Sequence, residues 1–134
     1  MLWNKETKYP NIFVDGKCVY SILNCDNGKR YVGMTEDLSS RMRYHYYTLK
    51  KGNHPNNLMQ EDFNKGDSFK VEILCRFQES DTNQQKEKAL ETFFIFKNKT
   101  VENGYNKSYN YNNEKSARSA VAKYSEYICR ELMA

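Results

Sequence analysis

The feature that most constrains this chain is a pair of turn dipeptides around a run of strand formers. Asp15-Gly16 and Asn27-Gly28 both suit two-residue hairpin turns, whose central residues need positive φ. Between them lies Lys17-Cys18-Val19-Tyr20-Ser21-Ile22-Leu23, and after the second comes Lys29-Arg30-Tyr31-Val32-Gly33. The β-branched and aromatic residues in both runs predict two antiparallel strands joined at Asn27-Gly28. Ile12-Phe13-Val14 reads as a short edge strand. A third strand follows from alternation: Phe69, Val71, Ile73, Cys75 and Phe77 alternate with Lys70, Glu72, Leu74 and Arg76, which gives one mostly apolar face.

The remaining segments read as helices. Thr35 is the expected N-cap of the first, with Glu36 and Asp37 in its first turn. Leu38, Met42, Tyr46 and Leu49 then form one apolar stripe, and Gly52 ends it. Arg41 and His45 fall on one edge of that stripe, at the rim of whatever it packs on. Pro55 starts a shorter helix carrying Leu58, Met59 and Phe63, closed by Gly66. Asp81 caps a third helix that runs to the vicinity of Lys97. Asn103-Gly104-Tyr105-Asn106 is a turn, and Tyr109 to Asn113 is loop-like. From Glu114 onward, Ala117, Val121, Tyr124, Ile128 and Leu132 predict one terminal amphipathic helix. The order β-β-α-α-β-α with a last helix defines an α+β fold: a small central antiparallel sheet of about three strands, flanked by helices. A chain of 134 residues is expected to be one domain, able to form a core without staples.

Charge and cysteine usage narrow the function classes. No apolar run approaches the ~18 residues of a membrane span. The opening residues lack the apolar stretch of a signal peptide, so a reducing intracellular compartment with free thiols is expected. The four cysteines form no CxxC pair, and the two histidines do not complete a zinc pattern. The net charge of +4 decides little. Its distribution is more telling: Lys29, Arg30, Arg41, Arg43, Lys50 and Lys51 face only Glu36 and Asp37 across residues 29–51, interleaved with Tyr31, Tyr44, Tyr46 and Tyr47. Basic residues among aromatics suit a phosphate-bearing ligand. On charge alone, a solvated helix face is the plainer explanation.

The hairpin places Tyr20 and Tyr31 on neighbouring strands, and register decides whether they share a face. Gly33 permits close approach of a ligand or backbone just before the helix that carries Arg41. Glu91 is bracketed by Leu90 and by Phe93-Phe94-Ile95-Phe96. A carboxylate in such company is costly unless it is paired, reaches water or binds a cation. Periodicity alone favours a solvated flank beside Glu87.

Taken in order, these residues resemble a known family. Cys18-Val19-Tyr20, ten residues, then Tyr31-Val32-Gly33 is similar to the paired tripeptides of the GIY-YIG nucleases. Arg41-x-x-x-His45, Lys51-Gly52-Asn53-His54, Glu91 within a long helix, and Gly104-Tyr105-Asn106 continue the likeness. The pattern is most like the catalytic domain of phage-type homing endonucleases. Cys18 stands where glycine is usual and Val19 where isoleucine is usual, and Cys18 puts local packing in question.

The resemblance implies a nuclease core over residues 17–107 and a helical extension over 108–134. It implies hydrolysis of DNA phosphodiesters with one Mg²⁺ (or Mn²⁺) per site and no organic cofactor. It also implies an intracellular place of action, compatible with a virus-encoded protein. The implied catalytic set is Tyr20, Tyr31, Arg41, His45, Glu91 and Asn106. Glu91 would hold the cation and Arg41 the phosphate. Tyr20 would act as general base or orient the water, Tyr31 would bond the nucleophile or phosphate, and Asn106 would brace the site. His45 is either a site residue or part of the helix rim. Gly33, Arg43, Lys50, Lys51 and His54 are the implied DNA contacts. Two other functions fit the same residues: a non-catalytic nucleic-acid-binding module on the same fold, and a small interaction protein with a tyrosine contact patch. The last helix either covers a core face or lies along a DNA backbone.

Overall fold

The computed structural model describes residues 2–12, 16–78 and 82–133. The first hairpin forms from β1 (Cys18–Asn24) and β2 (Arg30–Thr35), with Gly28 at φ +78° in the turn. α1 (Leu38–Lys51) and α2 (Asn57–Lys65) precede β3 (Phe69–Arg76). α3 (Gln84–Lys97), the short α4 (Thr100–Asn103), α5 (Glu114–Lys123) and α6 (Ser125–Met133) complete the chain. The sheet has three strands in the order β2-β1-β3, and both pairings are antiparallel. The α+β architecture read from the sequence is therefore the observed one.

Each face of the sheet carries its own core. Cys18, Tyr20, Ile22 and Phe69 point to one side, where Leu38, Met42, Tyr46, Leu49, Met59 and Phe63 of α1 and α2 cover them. Val19 and Val32 point to the other, under Ala89, Leu90, Phe94 and Ile95 of α3 and Tyr127 and Ile128 of α6. Cys18 is fully buried in the first core, so the side chain that replaces the usual glycine is simply packed.

The ends of several elements differ from the sequence reading. Asp37, not Thr35, caps α1, its carboxylate accepting from the Ser40 N–H; Thr35 is the last residue of β2. Asn56 caps α2, after Pro55. Asn83 caps α3, and Asp81 lies outside the described residues, as do Phe13 and Val14 of the expected edge strand. The alternation of β3 breaks at a bulge: Val19 pairs with Cys75 but Tyr20 with Ile73. The extra residue, Leu74, sends Cys75 into the second core while Val71 and Ile73 stay with the first. The terminal helix is two helices, with Tyr124 capping α5 before α6 begins.

Both sheet edges are covered. Trp3 exchanges backbone hydrogen bonds with Phe69 at 2.9 and 2.8 Å and stacks on its ring. At the other edge, the Tyr105 N–H donates to the Arg30 carbonyl at 2.9 Å. The Asn106 amide then pairs with Val32 in both directions, accepting from its N–H at 2.8 Å and donating to its carbonyl at 2.9 Å. Asn106 thus acts as a short surrogate strand. The Tyr105 hydroxyl anchors this turn by donating to Asp62 at 2.6 Å while it accepts from Asn24 at 2.9 Å. Among the described residues, no helix is long and apolar enough to cross a membrane.

Gly104 makes the edge contact possible. A Cβ there would sit 2.5 Å from the Arg30 carbonyl oxygen and 2.9 Å from the Thr100 backbone, neither of which can rotate away. Gly104→Ala should therefore cost about 1–3 kcal/mol as the turn is pushed off β2. Urea unfolding checks this: a lower midpoint with an unchanged slope is expected, and an unchanged midpoint would contradict the tight fit.

Candidate active site

The β1–β2 register settles the relation between the two tyrosines. Tyr20 pairs with Gly33 and Ile22 with Tyr31, so both phenols lie on the face that α1 covers. Their ring centroids are 6.2 Å apart. Gly33 lies directly under the Tyr20 ring, where an added Cβ would stand 2.7 Å from Cζ and Oη. The glycine of the second tripeptide exists to seat the tyrosine of the first.

α1 brings His45 onto this ring. His45 belongs to the buried stripe of α1 rather than to its rim, with 4% of its surface exposed. Its Nε2 is 2.8 Å from the Tyr20 hydroxyl, and its Nδ1 is 2.9 Å from Nε2 of His54. His54 Nδ1 in turn accepts the Asn56 backbone N–H at 3.0 Å. That last bond orders the whole line. A backbone N–H only donates, so neutral His54 carries its proton on Nε2 and gives it to His45 Nδ1. His45 is then protonated on Nε2 and donates to Tyr20. The Tyr20 oxygen therefore receives a hydrogen bond from within the protein, and its own hydrogen is directed elsewhere.

Burial keeps both imidazoles neutral. Desolvation, then the neighbouring His54 and Arg41, bring His45 down to about 3. Desolvation and the Lys107 charge bring His54 to about 4. The same burial pushes the Tyr20 phenol well above its ordinary value, and only Arg41 acts against this. Tyr31 is raised by burial and by Glu91, again opposed by Arg41. At rest both phenols hold their protons.

Tyr31, His45 and His54 line a cleft of about 320 Å³ together with Arg41, Tyr44, Asn106, Lys107 and Asn110 among others, whereas Tyr20 is buried against Tyr31 and His45 and does not line it. Arg41 is exposed at its mouth, one turn before His45. Glu91 comes from α3 and is partly buried; desolvation raises it to about 7, opposed by the Asn110 carboxamide and by the charges of Lys88 and Arg41. Its field reaches Tyr20 and Tyr31. Glu87, expected beside it in solvent, is buried and paired with Lys17 at 3.0 Å.

The other predicted residues fall into two groups. Arg43 and Lys51 border a shallow groove with Tyr44 and Tyr47, next to the cleft, and both tyrosines are exposed. Lys50 instead reaches back to the Lys5 carbonyl at 2.5 Å. The sequence reading missed Asn56, which fixes His54 through its N–H, caps α2 through its Oδ1, and holds the Tyr105 carbonyl through its Nδ2 at 2.5 Å. An Asn following Pro55 ahead of an apolar run was the available capping signal. It also missed Asn110, which no pattern marks beyond asparagine's tolerance of left-handed backbone.

Among the described residues, no three His, Cys, Asp or Glu side chains gather to hold a metal by themselves. A lone carboxylate such as Glu91 still suits a hard divalent cation, which keeps waters and takes substrate oxygens for its remaining ligands.

The chain belongs to the GIY-YIG nuclease family: the family model of the GIY-YIG catalytic domain matches residues 16–106. Two solved structures are similar. One is a point mutant of the catalytic domain of intron endonuclease I-TevI, 30% identical, with a TM-score of 0.63 over 71% of this chain and 96% of that one. The other is the catalytic domain of homing endonuclease I-TevI, 33% identical, with a TM-score of 0.59 over 67% and 96%. No curated protein sequence matches the chain.

The neutral histidines leave a mark on stability. Unfolded imidazoles protonate near pH ~6.5, whereas His45 resists until about 3. The unfolded chain therefore takes up a proton that the fold refuses, and stability falls as pH drops through this window. His45→Phe should reduce the slope of unfolding free energy between pH ~4 and ~6 by up to about 1.4 kcal/mol per pH unit. Denaturant titrations at stepped pH check this, and equal slopes would contradict a neutral buried imidazole.

Proposed function

We propose that this protein is a divalent-metal-dependent endonuclease that hydrolyses DNA phosphodiester bonds, in the manner of the homing endonucleases it is similar to. The observation that carries this reading is the convergence of Tyr31, Arg41 and the ordered His45–His54 pair on one cleft, with the Tyr20 hydroxyl buried against His45 and both phenols within the field of Glu91. A binding module needs the basic surface but not a buried, tautomer-ordered line behind one phenol.

In this reading the phosphodiester enters the cleft mouth, where Arg41 offers a planar fork to its non-bridging oxygens and stabilises charge that develops in the transition state. Water attacks phosphorus, and the bond from phosphorus to the leaving oxygen breaks. Tyr20, buried against Tyr31 and His45, would orient that water or take its proton. As a phenol it is a poor base, since burial raises it. His45 compensates: its Nε2–H points at the Tyr20 oxygen and stabilises the phenolate. Because that nitrogen already holds a proton, the proton of Tyr20 would pass to the leaving oxygen or to water and not to the histidines. Tyr31 holds the nucleophile or phosphate by its hydroxyl. Glu91 would hold the cation (Mg²⁺ or Mn²⁺), which when bound adds positive charge at the phosphate. Asn106 keeps β2 in register beneath the cleft. The groove of Arg43, Lys51, Tyr44 and Tyr47 carries the neighbouring DNA backbone.

Plasmid DNA with Mg²⁺, Mn²⁺ or EDTA tests this reading. Metal-dependent nicking or cutting is expected. Arg41→Ala and Glu91→Ala should each lower the rate by about 10²-fold or more while keeping the wild-type melting temperature, and Tyr20→Phe should lower the rate as far but also melt lower, because it leaves the His45 Nε2–H unpaired. A salt-sensitive gel shift over intact DNA would overturn the catalytic reading in favour of binding alone.

A further inference from the structure

Among the described residues, Tyr44 and Tyr47 are the only exposed aromatic side chains; every other described ring is buried or half-buried. The two stand three residues apart on α1, on the face opposite its buried stripe. Arg41, Tyr44, Tyr47 and Lys51 follow one another at spacings of three, three and four, which sets them in one row along the helix. Tyr44 walls the cleft and also the neighbouring groove, whose other walls are Ser40, Arg43, Tyr47, Thr48 and Lys51. That groove is lined by two cations and no acid. On the far side of Arg41 the surface turns acidic, with Glu36 and Asp37 in the adjoining groove. Both exposed rings are braced. Tyr9 stacks on Tyr47 with centroids 5.9 Å apart, and the Arg43 guanidinium lies 5.8 Å from the Tyr9 ring. Tyr44 leans on His45 and His54, at 5.6 and 6.3 Å between centroids. A braced ring loses little freedom when a flat group is laid on it.

We propose that Tyr44 and Tyr47 form a stacking platform for unpaired bases, so that this site prefers DNA whose nucleotides beside the bound phosphate are unpaired. The inference deepens the nuclease reading and rests on it for one point, that a phosphate lies on Arg41. In a duplex the faces of each base are covered by its neighbours, and only edges and phosphates are open. A phenol ring can take the face of a base only where the strand is unpaired. From a phosphate on Arg41, the acids at Glu36 and Asp37 disfavour one direction. The strand then follows the row, with one base on Tyr44, the next on Tyr47, and further phosphates at Arg43 and Lys51. Stacking tolerates any base, so the platform selects the structure of the strand and not its sequence.

The test measures binding of the whole chain to labelled oligonucleotides by fluorescence anisotropy, in EDTA so that binding is read apart from cutting. One probe is a fully paired duplex, and the other is the same duplex with a central mismatched bubble. The wild type should bind the bubble about ten-fold or more tighter. Tyr44→Ala combined with Tyr47→Ala should remove most of that difference. Tyr44→Phe combined with Tyr47→Phe should retain it, because phenylalanine keeps the ring face and loses only the hydroxyl. Arg43→Ala combined with Lys51→Ala should instead weaken both probes alike and flatten the salt dependence. Thermal melts check that each variant is folded. Equal wild-type affinity for the two probes, or a phenylalanine pair that loses as much as the alanine pair, would overturn the platform; metal-dependent plasmid cutting would then still stand for the nuclease reading. A bubble preference that the alanine pair removes, in a protein that cuts neither plasmid nor bubble with Mg²⁺ or Mn²⁺, would overturn the nuclease reading and leave the platform as a binding site.

Discussion

A single backbone N–H, that of Asn56, orders the centre of this molecule. It donates to His54 and so determines which nitrogen of each imidazole holds a proton, until the line ends on the Tyr20 oxygen. Each member is buried, so any broken link would leave an unpaired polar group away from water. The line therefore persists only in a fold that holds α1, the start of α2 and β1 together. The same requirement explains why Asn56 carries three hydrogen bonds, one each toward His54, α2 and the turn at Tyr105.

The other parts of the site are fixed by the sheet edge. β2 is the outer strand, and its exposed side is taken up by Tyr105 and Asn106. That pairing depends on the absence of a side chain at Gly104, just as the seat of the Tyr20 ring depends on Gly33. Two glycines and two amides thus decide where two phenols sit. Helices from opposite faces of the sheet supply the charges: Arg41 from α1 on one side and Glu91 from α3 on the other. Their fields meet at Tyr20 and Tyr31 because the sheet between the two helices is only three strands wide.

Much of this was legible in the sequence, for identifiable reasons. The hairpin followed from Asn27-Gly28 and the helix stops from Gly52 and Gly66; the three glycines adopt the positive φ expected of them, but Asn27 does not, because the connection spans residues 25–29 rather than two residues. The candidate site residues stood out because their order resembles a family pattern, and the family model matches residues 16–106. What stayed hidden was long-range. Strand register placed both tyrosines on one face. The bulge at Leu74 moved Cys75 across the sheet, which no alternation count can reveal. His45 read as a rim residue because an imidazole is polar; only its partners, 25 and 9 residues away, make its burial affordable. Glu87 read as a solvated flank residue but is buried, because its salt bridge to Lys17 joins residues 70 apart. Asn110, in the cleft wall, has no local signature at all, because what sets it apart is a left-handed φ and an unmatched donor.

The most direct test of the central claim is the protonation of the two imidazoles, read by ¹⁵N nuclear magnetic resonance on the intact chain near neutral pH. The account predicts that His45 and His54 are both neutral, each protonated on Nε2 with an unprotonated Nδ1. A proton on Nδ1 of His45, or a charged ring at either position, would reverse the line that ends on Tyr20 and contradict the account.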